Sequence, residues 1–333
     1  MRHLVLTDKN LASAVAEAAE TLRRGELVAI PTETVYGLAA DAANGTAVAK
    51  IFAAKGRPSF NPLICHVTDL SMARRYGVLD ERAARLAKEF WPGPLSIVVP
   101  LAPNAPVHPL ATAGLPTIAL RAPRGPAHEV VAAFGGAIAA PSANRSGRIS
   151  PTRAEHVIEE LGDAVSLVLD AGPSEVGLES TIVSLAGDRP KLLRPGGVPT
   201  EVVEATLGEK PERTASGDPV SAPGMLASHY APHLPLRLNA TSIGQGEALL
   251  AFGGAPSGVE KAVAMRNLSS SSDLIEAATN FFAFLTELDR SGASAIAVSP
   301  IPHHGLGEAI NDRLTRAAAP RLAHRFVTPE TPG

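Results

Sequence analysis

Short apolar runs, each stopped by a proline, a glycine or a polar residue, constrain this chain most. Leu27–Ile30 stops at Pro31, Thr117–Leu120 at Arg121, and Ala137–Ala140 at Pro141-Ser142. Leu63–Val67, Leu95–Val99, Leu167–Leu169, Thr181–Leu185 and Lys191–Leu193 have the same character. Runs this short read as buried strands. Between them, helical spacing marks Leu11 to Leu22, Val48 to Lys55, Glu81–Phe90 and Ala127–Phe134. Gly25 and Gly56 stand where helices stop, and Thr152 with Glu155 forms a capping-box pattern. Strands and helices mix without strict alternation, which predicts a mixed α/β sheet.

The pattern changes near Leu207. Residues 208–233 are dense in Pro, Gly, Ser and charge and read as a linker between a domain at 1–207 and another at 234–333. In the latter, strand-like Leu234–Leu238, Leu249–Phe252 and Ala295–Val298 alternate with helix-like Asp273–Leu288 and Glu308–Ala318. That predicts a small α/β domain with a largely parallel sheet.

Composition excludes several functions. Thirty basic against 33 acidic residues disfavours bulk electrostatic grip on nucleic acid, without excluding a local basic pocket. The single cysteine, Cys65, rules out an intramolecular disulfide or a zinc finger, and it sits in an apolar run where a buried filler fits best. The Met1–Asn10 segment lacks a signal-peptide core and no apolar run spans a membrane, so the chain reads as cytoplasmic. Phe252-Gly253-Gly254 lacks the rest of a phosphate loop, His303-His304 lacks further metal ligands, and no G-x-S-x-G elbow occurs.

The polar clusters at strand ends carry the chemistry. Pro31-Thr32-Glu33-Thr34-Val35-Tyr36-Gly37 follows a strand and reads either as a crevice wall or as a turn with threonines bonding the backbone. Lys55-Gly56-Arg57-Pro58, with Asn61-Pro62 behind it, sets two cations around a turn and suits a polyanion; a solvated surface turn is the bland alternative. His66 interrupts an apolar strand. Arg121 ends another and takes either a carboxylate partner or solvent. Pro141-Ser142-Ala143-Asn144, then Ser150-Pro151-Thr152, offers hydroxyls and amides ahead of a helix. Glu179-Ser180-Thr181, Arg194-Pro195-Gly196 and, within the linker, His229-Tyr230-Ala231-Pro232 complete the set.

In this order the clusters resemble the threonylcarbamoyl-AMP synthase family, the longer members of the YrdC-like superfamily. Lys55, Arg57, Ser142 and Asn144 match its K-x-R…S-x-N signature, and the other clusters match as well. Leu226-Ala227-Ser228 stand where many members carry basic residues. The resemblance implies an α/β fold with a YrdC-like twisted open mixed sheet, plus a small Rossmann-like C-terminal domain. It implies synthesis of L-threonylcarbamoyl-AMP and pyrophosphate from L-threonine, bicarbonate or CO2, and ATP with Mg2+. The product would pass to a downstream transferase complex that modifies tRNA beside the anticodon. It places Lys55, Arg57, Asn61, Thr117, Ser142, Asn144, Ser150, Arg194 and Tyr230 at ATP, with Lys55 and Arg57 catalytic. Thr34, His66, Arg121, Ala140 and Ser180 would touch threonine, and no protein-held metal is implied. The linker is expected to fold over the site as a lid, with Tyr230 against the nucleotide. Two other readings share the superfamily: an RNA-binding module, disfavoured by acidity and few aromatics, and a carbamoyl-adenylate-forming maturation enzyme, whose cysteine-rich modules a one-cysteine chain lacks.

Overall fold

The computed structural model describes residues 1–214, 220–225 and 228–320. Leu226, Ala227 and the stretches 215–219 and 321–333, parts of the expected linker and C-terminal domain, lie outside the described residues.

The first eleven strands are β1 (Arg2–Val5), β2 (Val28–Ile30), β3 (Gly37–Asp41), β4 (Ile64–His66), β5 (Leu95–Pro100), β6 (Thr117–Arg121), β7 (Ile138–Ala139), β8 (Leu167–Asp170), β9 (Thr181–Ser184), β10 (Lys191–Arg194) and β11 (Glu212–Arg213). They join one sheet in the order β1-β8-β2-β3-β7-β4-β6-β5-β9-β10-β11. Parallel pairs such as β4/β6 and β5/β9 interleave with antiparallel ones such as β5/β6 and β9/β10. The sheet is therefore mixed, as the irregular alternation of elements predicts.

The second sheet holds β12 (Leu236–Arg237), β13 (Glu247–Ala251), β14 (Met265–Asn267) and β15 (Ala295–Val298), in the order β12-β15-β13-β14, with every pair parallel. Helices Leu274–Asp289 and Leu306–Ala318 accompany it.

Local chemistry sets the helix ends. Asn44 accepts amide hydrogens from Thr46 and Ala47 to start the helix Gly45–Lys55. Gly56 ends it in the left-handed region at φ 58°, and the Arg57 amide reaches back to the Phe52 carbonyl. The expected capping box at Thr152 does not form. The helix Ala154–Leu161 starts after Arg153 with no side-chain cap, and the Thr152 hydroxyl is buried without a hydrogen-bond partner. Its backbone amide meets His156 Nδ1 instead, at 3.4 Å.

The two halves share a core. Val35, Leu178 and Tyr230 pack in one apolar cluster with Phe281, Phe282 and Ile310 of the second half. Thr279 Oγ1 donates to the Glu175 carbonyl at 2.7 Å. Beside it, Gly177 has φ +71°, and a Cβ there would stand 2.4 Å from the Ala278 carbonyl oxygen. Only glycine allows this approach. Gly177→Ala is expected to cost about 2 kcal/mol in chemical unfolding through overpacking and a strained φ. Gly187→Ala, with open space around its Cβ, should stay within about 0.5 kcal/mol. Equal midpoints for both variants would refute the tight docking.

Candidate active site

Side chains alternate across a strand, and that period sorts chemistry from core. On β4, β5, β6 and β9, the residues Cys65, Ile97, Leu120 and Val183 join the main apolar core. Burial pushes the Cys65 thiol up to about 12, consistent with the expected filler role. The residues between them face the other way: Ile64, Val98, Ala119 and Ile182 form a separate small cluster covered by Ala222 and Met225 of the linker rather than by a helix. Along the same face run His66, Thr117, Arg121 and Ser96, because Ile64 pairs with Ala119, His66 with Arg121, and Thr117 with Pro100.

The signature cations are buried at the edge of this face. Lys55 Nζ donates to the Ser142 carbonyl at 2.5 Å and to the Asn144 carbonyl. Arg57 donates to the carbonyls of Asn61 and Pro62 at 3.1 and 2.8 Å. Arg194 donates to the Ser180 carbonyl at 2.8 Å. Lys55 and Arg57 are only 3% and 8% exposed, so the bland alternative of a solvated surface turn does not hold. Burial, then Arg57, holds Lys55 well below the ordinary lysine value. Burial lowers Arg57 to about 9, with Arg194 adding repulsion and Tyr230 opposing it. Gly196 lets the Arg194 loop lie on the start of β9, since a Cβ there would fall 2.3 Å from the Glu179 carbonyl oxygen.

Arg57, Ser142 and Arg194 line one cavity with Glu179, His229 and Tyr230. The space left open is about 40 Å³. Ala140 lies in its wall, its amide bonded to the Ile64 carbonyl at 3.0 Å. Ser150 donates its hydroxyl to Glu179 Oε1. Thr117 begins β6 at the far end of the face and does not line this cavity.

At the opposite end, Arg121 pairs with Glu33 at 2.8 Å, both buried, and Nε donates to the Gly93 carbonyl. The choice left open for Arg121 is thus resolved toward a carboxylate partner inside the chain. Ser180 Oγ lies 2.8 Å from Ser96 Oγ. Thr34 Oγ1 lies 2.8 Å from Thr32 Oγ1, and Thr32 donates to the Val35 carbonyl, so these threonines also brace their turn.

Buried polar atoms are normally paired, yet several here have no hydrogen-bond partner: both amide atoms of Asn61, Nδ1 of His66 and His229, Oδ1 of Asn144 and the Tyr230 hydroxyl. These five residues were singled out from the sequence, while other unpaired buried atoms lie on His128, Ser174, Ser299 and Arg313, which were not. A larger surface groove of about 670 Å³, lined by Glu81, Arg85, Lys88 and Trp91, has no such orphans. Three further contributors had no role assigned from sequence. Ser96 could have been found from strand alternation, and Glu33 and Glu179 stand inside quoted motifs.

Two family profiles match: Sua5–YciO–YrdC, described as "Telomere recombination", over residues 20–196, and "Threonylcarbamoyl-AMP synthase, C-terminal domain" over residues 198–319. The threonylcarbamoyl-AMP synthase of Bacillus subtilis is 41% identical over 92% of this chain and 94% of that protein. The chain belongs to the threonylcarbamoyl-AMP synthase family. The Pyrococcus abyssi synthase is 38% identical over the same shares of the two chains. A crystal structure of P. abyssi Sua5 complexed with L-threonine superposes with a TM-score of 0.86 at 34% identity, covering 95% of this chain and 97% of that one. Escherichia coli YciO, at 21% identity and a TM-score of 0.51, shares the fold over 59% of this chain and 94% of its own. The resemblance carried by the K-x-R…S-x-N signature is borne out, and so is the fold class it implied.

Burial of the cations makes them structural as well as chemical. Lys55→Ala and Arg57→Ala should each lower turnover by about 10²-fold. Each should also cost about 2 kcal/mol in urea unfolding, because the carbonyls these cations hold would lose charge-assisted partners. Unchanged unfolding midpoints would return both cations to a surface turn.

The buried histidines make stability depend on pH. Burial, then Arg121, pushes His66 down to about 3. Burial, reinforced by Arg57, Lys55 and Arg194 against the pull of Glu179, does the same to His229. Both are neutral when folded, whereas the unfolded chain protonates them near pH 6.5. Stability present above that pH is therefore lost as pH falls toward about 3, at about 1.4 kcal/mol per pH unit for each histidine. Urea unfolding at pH 6.5 and pH 5 should show the loss, and His66→Gln and His229→Gln should each remove one histidine's share. A pH-independent difference between parent and variants would overturn it.

Proposed function

We infer that this chain is a threonylcarbamoyl-AMP synthase, condensing L-threonine, bicarbonate or CO2, and ATP into L-threonylcarbamoyl-AMP and pyrophosphate for tRNA modification. One observation in the structure carries the reading. Among the described residues, the buried cations Lys55, Arg57, Arg121, Arg194 and Arg313 outnumber the buried carboxylates Glu33 and Glu179 by five to two. Burying unpaired charge is costly, and a triphosphate is a ligand that would offset the excess.

In this reading the carbamate made from the threonine amine and CO2 is one anion, and ATP is another. Arg57 and Arg194 face the cavity and cancel the repulsion between them, and Lys55 fixes the Ser142–Asn144 loop against the phosphates. The carbamate oxygen then attacks the α-phosphorus and pyrophosphate leaves, so the chain needs no covalent nucleophile. Asn61 and Tyr230 offer their unpartnered polar atoms to the nucleotide. His66, Arg121, Ser180, Thr34 and Ala140 form the threonine end, with the Arg121 fork available to the amino-acid carboxylate beside Glu33. No group of three or more acidic, histidine or cysteine side chains that could hold a metal occurs among the described residues. Mg2+ would arrive on the phosphate oxygens of ATP, as it commonly does. No described helix is long and apolar enough to cross a membrane.

The test is pyrophosphate release from ATP with each of the twenty amino acids, with and without bicarbonate. Release should require both threonine and bicarbonate, because a site built to pair a hydroxyl rejects valine, which lacks one. Equal release with serine, valine or no amino acid would refute the function.

A further inference from the structure

Arg313 lies on the second half's helix Leu306–Ala318 and is fully buried. Its Nε donates to Glu179 Oε2 at 2.9 Å, and Nη1 donates to the Pro195 carbonyl and to Asp312, both at 2.8 Å. Its guanidinium carbon stands 5.1 Å from the centroid of the Tyr230 ring. Three walls of the nucleotide cavity meet on this one side chain. Glu179 carries Ser150 on its other oxygen, Pro195 follows Arg194, and Tyr230 closes the linker side.

We propose that Arg313 is a positioning residue for the nucleotide site, through which the C-terminal domain sets the affinity for ATP. It does not line the cavity; it acts through Glu179 and Tyr230. Charge matters here as much as packing. Glu179 faces the cavity that takes the triphosphate in the function inferred above, on which this proposal rests, and an unpaired carboxylate there would repel phosphate. Arg313 neutralises that carboxylate, draws it toward the second domain and aims the Ser150 hydroxyl. Without it, the buried Glu179 carboxylate is left with Arg57 and Arg194 as its nearest compensation and competes with ATP for them. The Arg121 end of the face has its own carboxylate, Glu33, so threonine binding depends far less on Arg313.

The experiment compares the full-length parent with Arg313→Met, Arg313→Lys, Glu179→Gln and the double variant Arg313→Met/Glu179→Gln. Arg290→Ala is the control, since it breaks only the exposed ion pair to Glu159 across the same interface. Arg313→Met should raise the KM for ATP about tenfold or more and that for threonine less than about threefold. Glu179→Gln should rescue it: the double variant should bind ATP within about threefold of Glu179→Gln alone. Arg313→Lys keeps the charge and should fall between parent and Arg313→Met. Arg290→Ala should leave both constants unchanged. The rise in thermal midpoint on adding ATP is read on every variant, so the comparison does not require turnover. A parent that binds ATP but forms no pyrophosphate would defeat the inferred function and leave the Arg313 comparison readable. Should Arg313→Met fail to fold, Arg313→Lys and the charge-neutral double variant decide. ATP constants within about twofold of the parent in folded Arg313 variants would overturn the proposal. So would a double variant in which the two single effects multiply, or an Arg290→Ala variant that weakens ATP as much.

Discussion

Cations held by backbone carbonyls organise this molecule. Lys55 grips the Ser142 and Asn144 carbonyls, Arg57 those of Asn61 and Pro62, Arg194 that of Ser180, Arg121 that of Gly93, and Arg313 that of Pro195. Each carbonyl belongs to a loop leaving or entering the central strands. Such loops have no sheet partner for their carbonyls, and a buried carbonyl needs a donor. A buried cation in turn needs dipoles when no anion is present. The two needs meet, and the loops take one shape around a positively charged hollow. This is why the residues suited to bind phosphate also hold the fold.

The hollow forms where it does because of strand period. Four central strands turn Cys65, Ile97, Leu120 and Val183 into the helix-backed core and leave His66, Ser96, Thr117 and Arg121 on the other face. A helix packed on that face would have demanded apolar residues there. The Pro- and Gly-rich linker covers it instead. His229-Tyr230 pointed to a lid in the sequence, and His229, Tyr230 and Ala231 are indeed buried. Tyr230 adopts φ 62°, a region that costs a non-glycine residue on the order of 1 kcal/mol. His229 edge-on at 4.0 Å and Phe282 at 5.8 Å hold it there.

Much of this was legible in the chain. Runs such as Leu95–Val99 and Ala295–Val298 announce themselves because β-branched and leucine residues cluster between breakers. β3, with Gly37-Leu38-Ala39-Ala40-Asp41, does not, because small residues of low strand preference form a strand only when neighbours pair on both sides. β1 is an exposed edge and carries no apolar period. Thr152 followed the capping pattern and still failed to cap: the Pro151 and Thr152 carbonyls accept the Tyr36 and Ser174 amides, and the Thr152 side chain is buried. Lys55 and Arg57 were recognisable as cations and not as buried ones, because burial depends on loops distant in sequence. Arg313 shows the limit most clearly. Nothing around it in Asn311-Asp312-Arg313-Leu314 separates it from a solvated helix arginine, and its partner Glu179 lies 134 residues away.

The small size of the cavity ties these parts together. About 40 Å³ holds little more than a water molecule, whereas sites for ligands of nucleotide size occupy hundreds of cubic ångströms. In the function inferred above, ATP enters this cavity only when part of the wall withdraws. The sheet floor cannot, because Ile64 and Ala140 are bonded into the ladder. Arg57 is pinned by the Asn61 and Pro62 carbonyls and Arg194 by that of Ser180. The rest of the lining is Pro141, Ser142 and Glu179, with Lys55 holding the Ser142 carbonyl and Arg313 holding Glu179, and the linker segment Pro223, Gly224, His229 and Tyr230, whose tyrosine lies in the second domain's apolar cluster. Whatever moves that segment must also work against Phe282 and Arg313, so nucleotide entry and the packing of the two halves share one set of contacts.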